Sequence, residues 1–452
     1  MSRLSRRSFL TASAALVASP AIGAVASSGI VDVVIVGAGA AGIAAARKIT
    51  AAGRRCVVVE AADRVGGRCF TDAGTFGVPF DRGAHSLHMA DINPLAKLGG
   101  VAKLDVYPAP PGQRLRIARR FAREGEMEDF LSALVRTNRA MGEASRGKND
   151  VSAMQALPKD LGDLRSPVEF VVGPYGTSRD LGDISAYDLG RLAERDTDAF
   201  CRQGLGALIA RLADGLPVLL STPATAINIW GRAALEVRTT RGLFQASAVI
   251  VTAPTSVLAA GKIKFDPALP KRYVDAIAKL PLGSCDHIGL ELAGNPLGLR
   301  GDELVFEKGT GNRTAALLAN VSGTPLSLVV VGGRFGAGLA AQGEAAMTAF
   351  AVDWLADLFG TEVKKAVKRT AATNWAKEPW ALGASSAAMV GGQPSRRVLM
   401  EPIGNRIFFA GEAAHETLWG TVNGAWESGE RAADAILKRY APAPAPSGRR
   451  RR

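Results

Sequence analysis

Cysteine and histidine are scarce in this chain. Four cysteines, Cys56, Cys69, Cys201 and Cys285, are scattered through 452 residues, which excludes a disulfide-built scaffold. None forms a CxxC pair, so neither a thioredoxin-like redox motif nor a structural zinc is expected. Four histidines, His85, His88, His287 and His415, show no HExxH or other short ligand spacing, and no metal site is expected. No basic stretch is interleaved with aromatics, which argues against a nucleic-acid partner. Beyond the N-terminal segment no apolar run reaches the roughly 20 residues of a spanning helix, so no stable membrane insertion is expected. Internal repeats are also absent.

What is present is an ordinary globular mixture, 47% hydrophobic with 51 Gly and 23 Pro, which excludes collagen-like, coiled-coil and largely disordered classes. The length predicts two to three domains with ample core. The net charge is +13, but seven of those charges come from Arg3, Arg6, Arg7 and Arg449 to Arg452, leaving a mild +6 for the rest. The last twelve residues, 441–452, alternate Ala and Pro before four Arg, and are expected to form a solvated, disordered tail.

Residues 1–26 read as an address. Ser5-Arg6-Arg7-Ser8-Phe9-Leu10 is a twin-arginine pair followed by small apolar residues, and Ala24-Val25-Ala26 supplies an A-x-A-like cleavage site. The segment is short, weakly hydrophobic and broken by Pro20, unlike a membrane anchor. The expectation is a twin-arginine signal peptide, delivery by the twin-arginine export machinery, and a periplasmic or secreted mature protein.

Val31 to Val36 form a β-branched run that reads as a buried parallel strand. Gly37-Ala38-Gly39-Ala40-Ala41-Gly42 follows, then an Ala-rich helical stretch to about Ala52, then a second strand, Cys56 to Val59, ending in Glu60, 18 residues past Gly42. This is the order of a Rossmann-type dinucleotide site, GxGxxG. Gly37 makes the tight turn, Gly39 admits the pyrophosphate, and Gly42 allows close helix–strand packing. Ala41 lies in the first helical turn, and Glu60 is expected to accept from the ribose hydroxyls. The motif alone does not separate FAD from NAD. The continuation Arg64-Val65-Gly66-Gly67-Arg68 adds a second glycine turn with guanidinium groups that can meet the pyrophosphate.

With these residues the chain resembles the flavin-dependent amine oxidase family, which includes monoamine and polyamine oxidases, amino-acid oxidases and histone lysine demethylases. Phe80-Asp81-Arg82-Gly83-Ala84-His85 is similar to the family's Gly-Ala segment beside the flavin, which would place Ala84 and His85 at the cofactor. Thr222 to Ile227, with Ala224, and Ala248 to Pro254 resemble its central flavin-domain strands. Trp375, Glu378-Pro379-Trp380 and Gly383-Ala384 resemble its tryptophan–acid–aromatic–Gly segment. Phe408-Phe409-Ala410-Gly411-Glu412 and Gly420-Thr421-Val422-Asn423-Gly424 resemble the closing FAD signature.

The resemblance implies an α/β fold in which a Rossmann-type FAD-binding domain, built from 30–100, 201–285 and 390–440, carries an inserted α+β substrate-binding domain, 101–200 and 286–389. Local patterns add helices at Leu205 to Leu212 and Gly424 to Ile436, and a strand at Ile407 to Ala410. Basic residues within 111–126 (Arg114, Arg116, Arg119, Arg120, Arg123) are expected on a solvated helix face. The stretch Asp353 to Arg369, with Lys364, Lys365, Lys368 and Arg369, is expected to be helical too.

The family's chemistry takes a hydride from the carbon beside an amine nitrogen to flavin N5; the imine then hydrolyses, and O2 or, here, a periplasmic acceptor reoxidises the flavin. The protein supplies orientation and a dry pocket. The family commonly has a lysine near N5, and strand register puts His287 at that position; the rival readings are a packed strand histidine, with Lys279 reaching the place from a shifted register. Ser385 stands where an aromatic wall of the amine cage is common, and Thr421 where the opposite wall stands. Trp380, Trp419 or Trp426 would have to supply aromatic surface. Glu412 is expected near the phosphates or ribityl chain and the Val422 backbone near the pyrimidine end. No cysteine lies between Gly383 and Pro394, so FAD is expected to be non-covalent. The substrate implied is a small amine. Two other readings stay open: a carbon–carbon dehydrogenase of the desaturase or protoporphyrinogen oxidase kind, favoured by the missing lysine and aromatic wall, and a flavin-binding protein without amine turnover.

Overall fold

The computed structural model describes residues 30–193, 197–229 and 234–440. The twin-arginine segment and the tail at 441–452 lie outside the described residues.

The strand Val31–Val36 runs parallel to Cys56–Val59 on one side and to the second half of Gly242–Val251 on the other. Being covered on both faces, it reads as a continuous apolar run, and Val33, Val34 and Ile35 are fully buried. Short parallel strands flank it: Val218–Leu219 beyond Cys56–Val59, and Ile407–Phe409 on Gly242–Val251. The first half of Gly242–Val251 instead turns antiparallel to Leu235–Thr239, which pairs with Ala224–Asn228 and leads on to Lys264–Asp266. One eight-stranded mixed sheet results.

The helix Ala40–Ala51 is rich in the best helix former and packs along Val422–Leu437. The approach is close enough that a Cβ on Gly429 would fall 2.0 Å from the Ala41 carbonyl oxygen. Ile43 and Ile49 are fully buried, each stabilising the layer by about 1.5–3 kcal/mol.

A second, seven-stranded sheet runs in the order Val367–Ala372, Cys285–Leu292, Leu326–Gly332, Ala316–Ala319, Glu303–Glu307, Arg114–Ile117, Arg120–Phe121. Its faces divide by alternation. Ile288, Leu290, Val305, Leu317, Val329 and Val331 pack with Met347, Phe350 and Trp354 of the helix Glu344–Phe359. The opposite face, with His287, Leu304, Leu318, Leu328 and Val330, lines a cavity. Two large sheets with helical layers form a mixed α/β fold.

Two expectations are corrected here. The basic stretch 111–126 is not a helix face: it forms the hairpin Arg114–Ile117 and Arg120–Phe121, and the helix Glu124–Ala144 begins only after Arg123. Arg116 is buried there, its guanidinium over Phe121 and Phe359, so cross-strand pairing and stacking override the solvated-face pattern. The stretch Asp353 to Arg369 is also broken. Its helix ends at Phe359 because Gly360 adopts φ +102°, a short helix covers Glu362–Ala366, and Lys368 and Arg369 belong to the edge strand Val367–Ala372.

Candidate cofactor and substrate site

A cavity of about 1140 Å3 is lined from both large sheets. At one end lie the glycine turns. Gly37 sits at φ +106°, and a Cβ there would meet Thr252 Oγ1 at 2.4 Å; one on Gly42 would meet the Gly37 carbonyl oxygen at 1.9 Å. Gly42 therefore closes the turn onto the helix and does not itself line the cavity, whereas Gly37, Gly39 and Ala41 do. The helix Ala40–Ala51 has Gly39 as its N-cap with no side-chain cap, so its first amides remain open to an anion. Gly67 lies against Gly39, with a Cβ distance of only 3.3 Å to its Cα, and both line the cavity.

Glu60 ends the second strand and accepts from the Ala38 amide at 2.6 Å and the Ala62 amide at 2.8 Å. Burial pushes its pKa up, against the pull of those amides and Arg64. Arg64 spends its guanidinium on its own loop, donating to the Gly67 carbonyl at 2.9 Å and stacking on Phe70. Arg68 reaches across the fold to Glu412 Oε1 at 2.9 Å and the Ala384 carbonyl at 2.5 Å. Ala84, Ala224, Gly411 and Val422 also line the cavity.

Glu412 is the centre of a buried polar network. Ser386 Oγ donates to it at 2.6 Å and the Gly420 amide at 3.0 Å. Behind it Arg396 and Asp188, both 0% exposed, pair bidentately at 2.6 and 2.7 Å, and Arg396 also contacts Ser386 Oγ. Burial raises the Glu412 pKa, but the Arg68 charge, Ser386 and Arg396 outweigh it and hold the carboxyl below its ordinary range.

At the other end His287 lies on the strand Cys285–Leu292 and lines the cavity. Its Nδ1 bonds the Asp81 carbonyl oxygen at 2.8 Å, so Nδ1 carries the proton and Nε2 keeps a lone pair. Burial lowers the His287 pKa, which keeps the ring neutral. The Asp81 carboxylate in turn bonds His85 Nδ1 at 2.9 Å and accepts from the Leu205 amide at 3.0 Å and from Thr71 Oγ1 at 2.5 Å. Asp81 thus anchors two of the three cavity histidines, His85 through its carboxylate and His287 through its carbonyl, at the N-terminus of the helix Leu205–Leu212; the third, His88, bonds Asp198. Lys279, the alternative to His287, is exposed at the end of the helix Lys271–Ala278 and is not among the cavity residues.

The expected aromatic surface is also revised. Trp419 and Trp426 are buried core side chains that do not line the cavity. Trp380 lines it but is 37% exposed, with the Lys262 ammonium 4.9 Å from its ring centre. Thr421 lines the cavity too, yet its hydroxyl is spent as a helix cap, accepting from the Gly424 amide at 2.9 Å and donating to the Leu418 carbonyl at 2.6 Å. Ser385 faces another serine, Ser178, Oγ to Oγ at 2.7 Å.

The residues fit FAD. The glycine cradle leaves no room for side chains, the uncapped helix end suits a pyrophosphate, and an acid stands at the end of the second strand. Sequence reasoning missed the double role of Asp81, the Asp188–Arg396 pair and Ser178. Asp81 was visible only as part of a motif, and the other three depend on contacts between distant segments that no local pattern carries.

Three comparisons bear on this arrangement. A family model described as "Flavin containing amine oxidoreductase" matches residues 40–108 and 143–437. The chain is 26% identical over 438 residues to lysine-specific histone demethylase 1B of Mus musculus, covering 90% of this chain and 52% of that protein. It is 28% identical over 445 residues to polyamine oxidase 4 of Oryza sativa subsp. japonica, covering 90% and 89%. The chain thus spans about half the length of the demethylases it matches. Among solved structures, cyclohexylamine oxidase from Brevibacterium oxydans IH-35A superposes with a TM-score of 0.79 at 21% identity, covering 91% of this chain and 100% of that one. A putrescine oxidase bound to putrescine gives 0.78 at 20% identity, covering 90% and 99%.

Proposed function

The chain belongs to the flavin containing amine oxidoreductase family, and from that premise we propose that it is an FAD-dependent oxidoreductase that oxidises a small amine. The observation that carries the reading is a neutral imidazole, His287, whose Nε2 lone pair is left for the cavity by the Nδ1 bond to Asp81. FAD would be held by the Gly37–Gly42 turn, Glu60, Gly67 and the Arg68–Glu412 pair, without a covalent link: the thiols of the two cavity cysteines, Cys69 and Cys285, are both pushed up to about 12 by burial and stay protonated. When bound, FAD supplies the acceptor for the hydride from the carbon beside nitrogen.

The protein's own part is to orient and to manage protons. An amine reacts as its neutral form, so a proton must leave its ammonium, and His287 Nε2 is the acceptor the cavity offers for it, directly or through water. Leu304, Leu318, Leu328 and Val330 line the same cavity and exclude water. Arg68, Glu412 and the Thr421 cap hold the loops that frame the cofactor. The Nδ1 bond keeps the imidazole in one tautomer and one orientation through the cycle.

The twin-arginine motif supports export of the folded, cofactor-loaded protein to the periplasm or beyond, with O2 or a periplasmic carrier taking the electrons. Ser385 and His287, in place of an aromatic and a lysine, favour carbon–carbon dehydrogenation as the second reading. Product identification by mass spectrometry separates the two. A carbonyl product with release of ammonia or an amine supports amine oxidation, whereas a desaturated product that retains its nitrogen overturns it.

A further inference from the structure

The place where an aromatic wall is absent is built, not vacant. Ser178 and Ser385 come from segments 207 residues apart and meet at 2.7 Å, and both line the cavity. Three backbone bonds clamp the pair on the start of the strand Cys285–Leu292. Gly283 donates to the Ser385 carbonyl at 2.8 Å, Ser284 to the Ser178 carbonyl at 2.9 Å, and Ala384 to the Gly283 carbonyl at 2.8 Å. Gly283 is squeezed between them, since a Cβ there would fall 2.0 Å from the Ser178 carbonyl oxygen.

Ser178 is held at φ +66°, a left-handed conformation that is strained for a non-glycine residue and that glycine would adopt freely. The turn before it, Val171–Tyr175, is π-helical, an irregularity frequent at functional sites. Cys285, on the same face of its strand as His287, interacts with the Ser178 hydroxyl. Cys285 lies about 7 Å along the strand from His287, one pleat repeat away, so Ser178 stands beside the neighbouring position on the cavity face.

Resting on the amine-oxidising reading, we infer that Ser178 and Ser385 form a hydrogen-bonding wall that orients the substrate nitrogen through its N–H groups, which makes the site selective for primary over N,N-dialkylated amines. Each hydroxyl has one donor and two lone pairs. One O–H joins the pair, and Ser385 has a long 3.4 Å contact to the Thr177 carbonyl, leaving lone pairs of the pair to accept from the ligand. An aromatic face attracts N-methyl groups as readily as N–H. A hydroxyl pair does not: each methyl that replaces an N–H removes a bond and leaves an acceptor unsatisfied. With Ser178 and Ser385 holding the nitrogen, its remaining valences turn toward His287.

The test uses the FAD-loaded protein under anaerobic conditions with tert-butylamine, which has no hydrogen on the carbon beside nitrogen, and its N,N-dimethyl derivative, whose N-methyl hydrogens are the only ones open to oxidation. Binding is read by rapid mixing from the perturbation of the flavin absorbance that precedes any bleaching. The variants are Ser385→Ala, Ser178→Ala and Ser178→Gly, the last suited to the left-handed backbone and guarding against misfolding. The inference expects each variant to weaken binding of the primary amine by about 10-fold while changing the dimethyl derivative less than about twofold. Equal changes for both amines, or none for either, overturn it. If neither amine perturbs the wild-type band while another primary amine bleaches it, the inference is overturned and the amine reading stands; if no amine of a wider panel bleaches it, the amine reading itself fails.

Discussion

The imidazole of His287 is joined to the main-chain carbonyl of Asp81 by a 2.8 Å hydrogen bond from Nδ1, across 206 residues of sequence. The same Asp81 holds His85 through its carboxylate. A main-chain acceptor cannot be removed by changing a side chain and does not titrate, so the tautomer of His287 is set by the fold.

Replacing His287 by Ala should slow flavin reduction by amines by about 10²-fold or more, the usual worth of a positioned base. Because burial lowers the His287 pKa, the imidazole stays neutral through pH 7. The wild-type rate constant should be flat there and fall only as pH drops below the ordinary histidine value of about 6.5. Rapid-mixing reduction rates against pH check this; a variant with wild-type rate and profile would show that His287 is only a packed strand residue.

Arg396 and Asp188 are both fully buried, so removing one partner strands a charge. Arg396→Met should destabilise the protein by about 3–5 kcal/mol, and the double variant Asp188→Leu/Arg396→Met should recover much of that loss. Urea unfolding of the three proteins measures it. A single variant within about 1 kcal/mol of wild type would contradict the buried-pair account.

Glu412 has its pKa depressed in the folded state, so it binds its proton less readily there than in the unfolded chain. Its contribution to stability is fully present above the unfolded value of about 4.3 and is lost as pH falls through the lower folded value. Glu412→Gln should flatten this acid limb in a thermal-denaturation series from pH 7 to pH 3. An unchanged limb would place the acid sensitivity elsewhere.

Gly42→Ala should yield protein without bound flavin, because the new Cβ would fall 1.9 Å from the Gly37 carbonyl oxygen and force the turn open. Gly100→Ala, in the helix Pro94–Val101 with no neighbour within 4 Å of the new Cβ, serves as the control and should stay yellow. The flavin-to-protein absorbance ratio after purification decides. Full loading of the Gly42→Ala protein would contradict the tight-turn assignment.

The first unit of the fold was legible because its information is local. Val31–Val36, the glycine turn, Ala40–Ala51 and Cys56–Val59 are each marked by a run of the right period and by glycines with a steric purpose. The basic stretches misled because charge pattern does not reveal strand pairing: Arg116 is buried through its partners in Glu303–Glu307 and its stacking on Phe359. Strand register, set against the family resemblance, puts His287 at the lysine position, and His287 lines the cavity. Its governing contact with Asp81 was not legible, since it joins a short hairpin strand of the nucleotide-side region to the second sheet. Thr421 lines the cavity at the expected wall position, and its hydroxyl also caps a helix, a use that Thr before a Gly-containing helix start suggests. Ser178 carried no local mark beyond the glycine-rich stretch around it.

The central claim is that this cavity passes electrons from an amine to a flavin. The most direct measurement is an anaerobic titration of the FAD-loaded protein with primary, secondary and polyamines and amino acids, following the visible band of oxidised flavin. The account predicts stoichiometric bleaching by at least one amine class, primary amines foremost. A band that dithionite bleaches but no amine affects would contradict it.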